Sequence, residues 1–218
     1  MQLTIYGYAK ALFALLPSFT RSSAMIAGGA LRAYYDKTEV ADVDLCFRSN
    51  DDYERALAEM HAHPAFRFTG TKGRTSVFKR GDGLEYNLIG FMQAGPQETI
   101  GRFDFRCCRM IAWVTTEGTL EFLAAPGAIN DAVTKTLIVL LNNGTERTIK
   151  RVLHYQDDYG YALDLTADEH LEPAEPEQLD LFADELREGQ VRAESIPSTA
   201  TVRYLSRVPR ARGGYGED

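Results

Sequence analysis

"MIAGGALRAYYDKTEVADVDLCF", residues 25–47, decides the fold. A short apolar run ends at Gly28 and Gly29, and "GALRAYYD" then reads as a helix opened by glycine. The chain returns in "VADVDLCFRS", a strand pattern that carries Asp42 and Asp44 one residue apart. Side chains alternate along a strand, so the two carboxylates share one face while Val43 and Leu45 turn into the core. Two carboxylates this close raise each other's proton affinity unless positive charge lies between them. A divalent cation answers that need. Mg²⁺ (or Mn²⁺) prefers oxygen ligands, keeps several waters and is often shared with substrate phosphates. The glycines supply the other half of such a site. Without a Cβ at Gly28 and Gly29 a backbone lets phosphate approach closely. The helix that follows offers free N–H groups and a partial positive charge. Arg32, one turn in, adds a charge-assisted contact. The stretch therefore predicts a metal–phosphate site, with Asp42 and Asp44 on the metal and Gly28, Gly29 and Arg32 cradling a triphosphate.

The flanking sequence predicts a mixed α+β fold. Residues 5–16 read as a helix. "SNDDYERALAEMHAH" has a capping side chain, early acids and helical apolar spacing. "AFRFT", "RTSVFKR" and "LEYNLIGF" read as strands, the last two joined by the hairpin turn "GDG". "GPQETIGRF" is a short helix with proline near its start. "FRCCRMIAWVT" and "TLEFLA" form a second hairpin, turning at "TEG". Beyond Pro126 the pattern turns helical: "GAINDAVTKTLIVLL", then "ERTIKRVLHYQDDYGY", then an acidic stretch from Thr166 to Gly189. The expected organisation is a core over 1–125, a helical extension over 126–190, and an extended, partly disordered tail over 191–218.

Composition narrows the function classes. The chain has 218 residues and a net charge of −7, which gives no long-range attraction to nucleic acid. Basic residues nevertheless cluster locally, at Lys72, Arg74, Lys79 and Arg80, and again at Arg147, Lys150 and Arg151. No apolar run is long enough to span a bilayer, and the amino-terminal stretch reads as a helix rather than a signal peptide. The three cysteines are Cys46, Cys107 and Cys108; an odd count with two adjacent favours a reducing, cytoplasmic setting. His61 and His63 do not share a helix face, so "HAH" is not a metal pair.

"IAGGALRAYYDKTEVADVDLCF" resembles the core signature of the DNA polymerase β-like nucleotidyltransferases. The "GGALR" form is similar to the CCA-adding and poly(A)-adding branch, and to small phage-encoded nucleotidyltransferases. "RFDFRCC" at 102–108 and "IKRVLHYQDDYGY" at 149–161 resemble later elements of that branch. Two positions differ from its pattern. Ala33 follows Arg32 where an acid is usual, and Asp157, Asp158 and Tyr159 precede Gly160 where an arginine is usual. The resemblance implies a polymerase β-like core, a nucleoside triphosphate donor and a two-metal mechanism. It also implies a third carboxylate, for which Asp104 and Glu85 compete. Asp104, set between two phenylalanines, is preferred; its alternative is a buried ion pair with Arg102 or Arg106. Lys150, with Lys135 and Arg151, is expected to steady the triphosphate. The expected reaction moves a nucleoside monophosphate to an acceptor hydroxyl, first of all a tRNA-like RNA 3′ end. The alternatives are transfer to a protein or small molecule, as in toxin–antitoxin systems, and a non-catalytic nucleotide-binding relative.

Overall fold

The computed structural model describes residues 4–142, 145–164, 166 and 172–173. Two helices, Ile5–Ala14 (α1) and Ser18–Ser23 (α2), lead into the strand Met25–Ala27 (β1). The helix Gly29–Asp36 (α3), the strand Asp42–Phe47 (β2) and the helix Asn50–Ala62 (α4) follow. Three strands come next: Phe66–Lys72 (β3), Thr75–Arg80 (β4) and Glu85–Gln93 (β5). The helix Pro96–Gly101 (α5) precedes a second hairpin, Met110–Val114 (β6) and Leu120–Ala124 (β7). Ala128–Thr134 (α6) and Thr145–Tyr159 (α7) complete the described helices.

The strands form one mixed sheet in the order β3-β4-β5-β2-β1-β6-β7. Within this sheet β2 and β5 run parallel and the other neighbours are antiparallel. This is the mixed α+β architecture expected from the pattern. Local signals set the element ends. The Ser49 hydroxyl accepts from the Asp52 N–H at 3.1 Å, capping α4. Pro96 opens α5, where its missing N–H costs nothing. Helix α3 stops at Lys37, which turns into the left-handed region at φ 61°.

Alternation splits the sheet into two unequal faces. Ile26, Val43, Leu45 and Phe47 face a large core under α1, α3 and α4. Met25, Ala27, Cys46, Ile89 and Ile111 face a smaller one, covered by Ile100 of α5. Along β2 the smaller face runs Asp42, Asp44, Cys46, from open to covered. The two aspartates therefore emerge where apolar cover gives out.

Two expectations need correction. "GAINDAVTKTLIVLL" is not one helix: α6 ends at Thr134, Lys135 is left-handed at φ 53°, and the chain then runs extended. Thr136–Leu137 pairs with Ala162–Leu163, and Val139 bridges to Phe105. The β-branched Thr136, Ile138 and Val139 suit a pleated, buried surface better than a helix. "FRCC" is also not strand, since Arg106–Cys108 is a tight 3₁₀ turn and β6 starts at Met110. The acidic segment between Thr166 and Gly189, apart from short described pieces, and the tail from 191 lie outside the described residues.

Arg106 ties this turn to α6. Its Nε and Nη2 donate to the two oxygens of Asp131 at 2.6 and 2.9 Å, and Asp131 is buried. A forked guanidinium–carboxylate pair of this kind is strong while intact and costly to break on one side. Asp131→Ala is expected to destabilise the protein by about 3 kcal/mol, read from chemical denaturation.

Candidate active site

Parallel pairing of β2 with β5 places Glu85 beside Asp42 and Asn87 beside Asp44. The Asn87 amide uses that position. Its Nδ2 donates to Asp42 Oδ2 at 2.7 Å and to Asp44 Oδ1 at 3.1 Å, so one amide spans both carboxylates. The arrangement is still short of positive charge. The carboxyl of Asp44 is pushed up to about 6, first by burial and then by Asp42, against the pull of Asn87, Arg151 and Lys72.

Asp104 reaches the same place from the other side. Its backbone oxygen accepts from Leu140 at 2.7 Å and Leu141 at 3.3 Å, so the extended segment after α6 holds it in position. Its carboxylate is 1% exposed, and neither oxygen has a hydrogen bond; the ion pair to Arg151 Nη1 at 3.0 Å is its charge partner. Arg102 pairs instead with Glu98, and Arg106 with Asp131, so neither arginine considered from the sequence neutralises Asp104.

Two cavities meet at the carboxylates. One, of about 290 Å³, lies against the small face of the sheet; Lys72, Arg74 and Arg102 stand on its wall, above Ile89, Phe91 and Met92. The other, of about 230 Å³, lies between α3 and α7 and is lined by Gly29, Glu39, His154 and Tyr159 among others. Asp42, Asp44, Phe103 and Arg151 line both, and Asp104 lines the sheet-side one.

The remaining candidates divide. A Cβ on Gly28 would lie 2.8 Å from Phe103 Cε1, and Gly28 has φ 71°, so its bareness serves the Phe103 ring. A Cβ on Gly29 would meet nothing within 4 Å, which leaves the α3 N-terminus open to the helix-side cavity. Arg32 lines that cavity but is 3% exposed. Its Nη1 lies 2.5 Å from Asp36 Oδ2, and its guanidinium stacks 4.2 Å from the Tyr159 ring centre and 4.9 Å from that of Tyr155. Glu85 pairs with Lys72 at 2.9 Å and lines neither cavity. Lys150 pairs with Glu146 on the exposed side of α7, also away from both. Lys135 donates to the Tyr159 carbonyl at 2.8 Å and fastens the end of α7.

A family profile described as "Gabija anti-defense 2 family protein" matches residues 5–135. The chain belongs to this Gad2 family. No curated protein matches it. Among solved structures it is similar to the Thermotoga maritima CCA-adding enzyme complexed with tRNA, at 18% identity and a TM-score of 0.53, covering 82% of this chain and 42% of that one. It is also similar to a CCA-adding enzyme in complex with ATP, at 14% identity and a TM-score of 0.58, covering 90% and 46%. A complex with CTP gives 15% and 0.56, covering 90% and 45%. The Gad2 chain thus shares its fold with CCA-adding enzymes and spans less than half their length.

The donor set suits a hard cation. Asn87 Oδ1 and both oxygens of Asp104 are buried without a hydrogen bond, beside two carboxylates short of positive charge. Among the described residues no group of three or more His, Cys, Asp or Glu is arranged to hold a metal by itself. A cation here would take its other ligands from water and substrate phosphates, as Mg²⁺ commonly does. Asn87 and Phe103 were missed in the sequence. An asparagine inside the apolar run "LEYNLIGF" was the available signal for the first; nothing local marked the second.

Asp44 carries a raised carboxyl, so its charge costs folding energy above pH 6 and nothing once both folded and unfolded forms are protonated. Asp44→Asn is expected to stabilise the metal-free protein by about 1–2 kcal/mol at pH 7.5 and to lose that gain below pH 4, seen in melts across pH. Gly28→Ala is expected to lower Tm, because it strains a left-handed backbone and strikes Phe103. Adding Phe103→Leu should restore part of the loss in the same melts.

Proposed function

We propose that the protein transfers a nucleoside monophosphate from a nucleoside triphosphate to an acceptor hydroxyl, releasing pyrophosphate, with an RNA 3′ end as acceptor. One observation carries this: Asp42 and Asp44, bridged by Asn87, sit where two cavities meet, so two substrates can face each other across the carboxylates.

Donor and acceptor take different sides. The open N-terminus of α3 at Gly29 and the guanidinium of Arg151 suit a triphosphate in the helix-side cavity. Lys72, Arg74 and Arg102 above an apolar floor suit an anionic acceptor with a flat, apolar part, which describes a terminal nucleotide. Asp42, Asp44 and Asp104 would hold the metal only together with water and phosphate oxygens. A bound Mg²⁺ or Mn²⁺ supplies charge neutralisation at the phosphates and a more acidic acceptor hydroxyl. Asp104 then stands as the carboxylate that accepts the hydroxyl proton, with Arg151 as its ion-pair partner at 3.0 Å. The rest of the rate comes from holding both substrates in line in a preorganised field. In this scheme the core up to residue 125 carries the carboxylates, and the segment after it contributes Arg151.

The family description favours a second acceptor within the same chemistry. An anti-defense protein of this fold would act by placing the nucleotide on a hydroxyl side chain of a defence protein, so inactivating it.

Purified protein should be incubated with Mg²⁺ and each α-labelled nucleoside triphosphate, with total RNA and with cell lysate. Label is expected on RNA and is expected to fall at least about 1,000-fold in Asp42→Ala/Asp44→Ala. Label confined to a protein band replaces the first acceptor with the second. Folded protein that transfers no label from any nucleotide refutes nucleotidyl transfer.

A further inference from the structure

The helix-side cavity holds a pair of groups that metal and phosphate binding leave unused. His154 and Asp158 lie one turn apart on α7, and His154 Nδ1 is hydrogen-bonded to Asp158 Oδ2. His154 lines the cavity with Gly29, Arg151 and the two aspartates of β2. Neighbouring rings fix it from the side: Tyr159 meets it edge-on at 4.9 Å between centres and Tyr155 at 6.0 Å. Tyr159 in turn lies under the Arg32 guanidinium. Asp158 occupies Nδ1, which leaves Nε2 as the ring nitrogen available to donate a proton. His154 and Arg151 are three residues apart and share a helix face, so the imidazole stands next to the group assigned to the phosphates. The contrast with Glu146–Lys150 is instructive. That pair has the same spacing on the same helix but lines no cavity.

We propose that His154 is the general acid that protonates the departing pyrophosphate, with Asp158 as its positioning residue. The assignment rests on nucleotidyl transfer being the reaction. Attack by the acceptor oxygen forms a new O–P bond at the α-phosphorus and breaks the bond from that phosphorus to the bridging oxygen of the β-phosphate. The bridging oxygen keeps the electron pair and takes the proton from Nε2. The acceptor's own proton leaves to Asp104. The imidazole side chain is 49% exposed, so it regains its proton directly from water. A general acid of this kind contributes a factor of about 100 or more to the rate.

Its signature is the dependence of rate on the basicity of the leaving group. α-Labelled ATP would be compared with its β,γ-difluoromethylene and β,γ-methylene analogues, with total RNA and lysate protein together as acceptors. Wild type, His154→Ala, His154→Gln and Asp158→Asn would be run side by side under single turnover. Wild type should respond weakly to the leaving group. His154→Ala should be slower by about 100-fold with ATP. Its loss should grow with the methylene analogue, the most basic leaving group, and shrink with the difluoromethylene one. His154→Gln should not restore the rate, since an amide donates a hydrogen bond but no proton. Asp158→Asn should show a weaker version of the same pattern. A uniform loss across the three donors, rescue by Gln, or no loss at all overturns the proposal. If wild type itself transfers no label, nucleotidyl transfer fails and the assignment fails with it. If wild type is active and His154→Ala equals it on every donor, only the assignment fails. The side chain is at the surface, so the variants should melt with wild type; a misfolded His154→Ala leaves His154→Gln and Asp158→Asn to decide.

Discussion

Two like charges on one face of β2 constrain everything around them. Asp42 and Asp44 cannot be sealed under a sheet, and the structure does not seal them. Helices crowd the opposite face, while the aspartate face is covered only at the Cys46 end. The cost shows in the raised carboxyl of Asp44, which the single Asn87 amide relieves only in part. A group left strained in the resting fold is a group prepared for a ligand of opposite charge. The mixed topology serves the same pair. The parallel neighbour β5 brings Asn87 level with Asp44, whereas the antiparallel neighbour β1 brings only the methyl of Ala27 there.

Arg32 shows how a residue with the right chemistry is turned to another use. Its charge is answered by Asp36, which also accepts from the Tyr161 hydroxyl at 2.8 Å. The Tyr155 and Tyr159 rings stack on the guanidinium, and the Tyr155 hydroxyl lies 2.8 Å from Cys108 Sγ. These contacts join α3, the turn after Asp104 and α7 into one block. Arg151 and His154 are held by that block, so the geometry of the helix-side cavity depends on a buried cation that faces its wall.

Much of this was legible in the sequence because it is local. Period-two alternation put Asp42 and Asp44 together, and glycine before a helix marked the turn at Gly28. The hairpins announced themselves through "GDG" and "TEG". What stayed hidden is set by contacts between distant segments. No local pattern distinguishes Lys150 from Arg151, yet the rotation of α7 sends one to solvent and the other to Asp104. The segment after Lys135 reads as helix by apolar content; its β-branched residues lean the other way, and its pairing with Ala162–Leu163 and Phe105 fixes it as extended. Asp104 was marked by its aromatic neighbours, but its ion-pair partner lies in another element.

The contact between Gly28 and Phe103 ties together two motifs that look independent along the chain. Phe103 fills the space that a side chain at 28 would take, and it also lines both cavities. Among related sequences, a larger residue at 28 should therefore occur only beside a smaller one at 103. The two motifs are coupled in one direction: a lineage can trim the wall between its two cavities at 103 freely, but it can give residue 28 a side chain only after doing so.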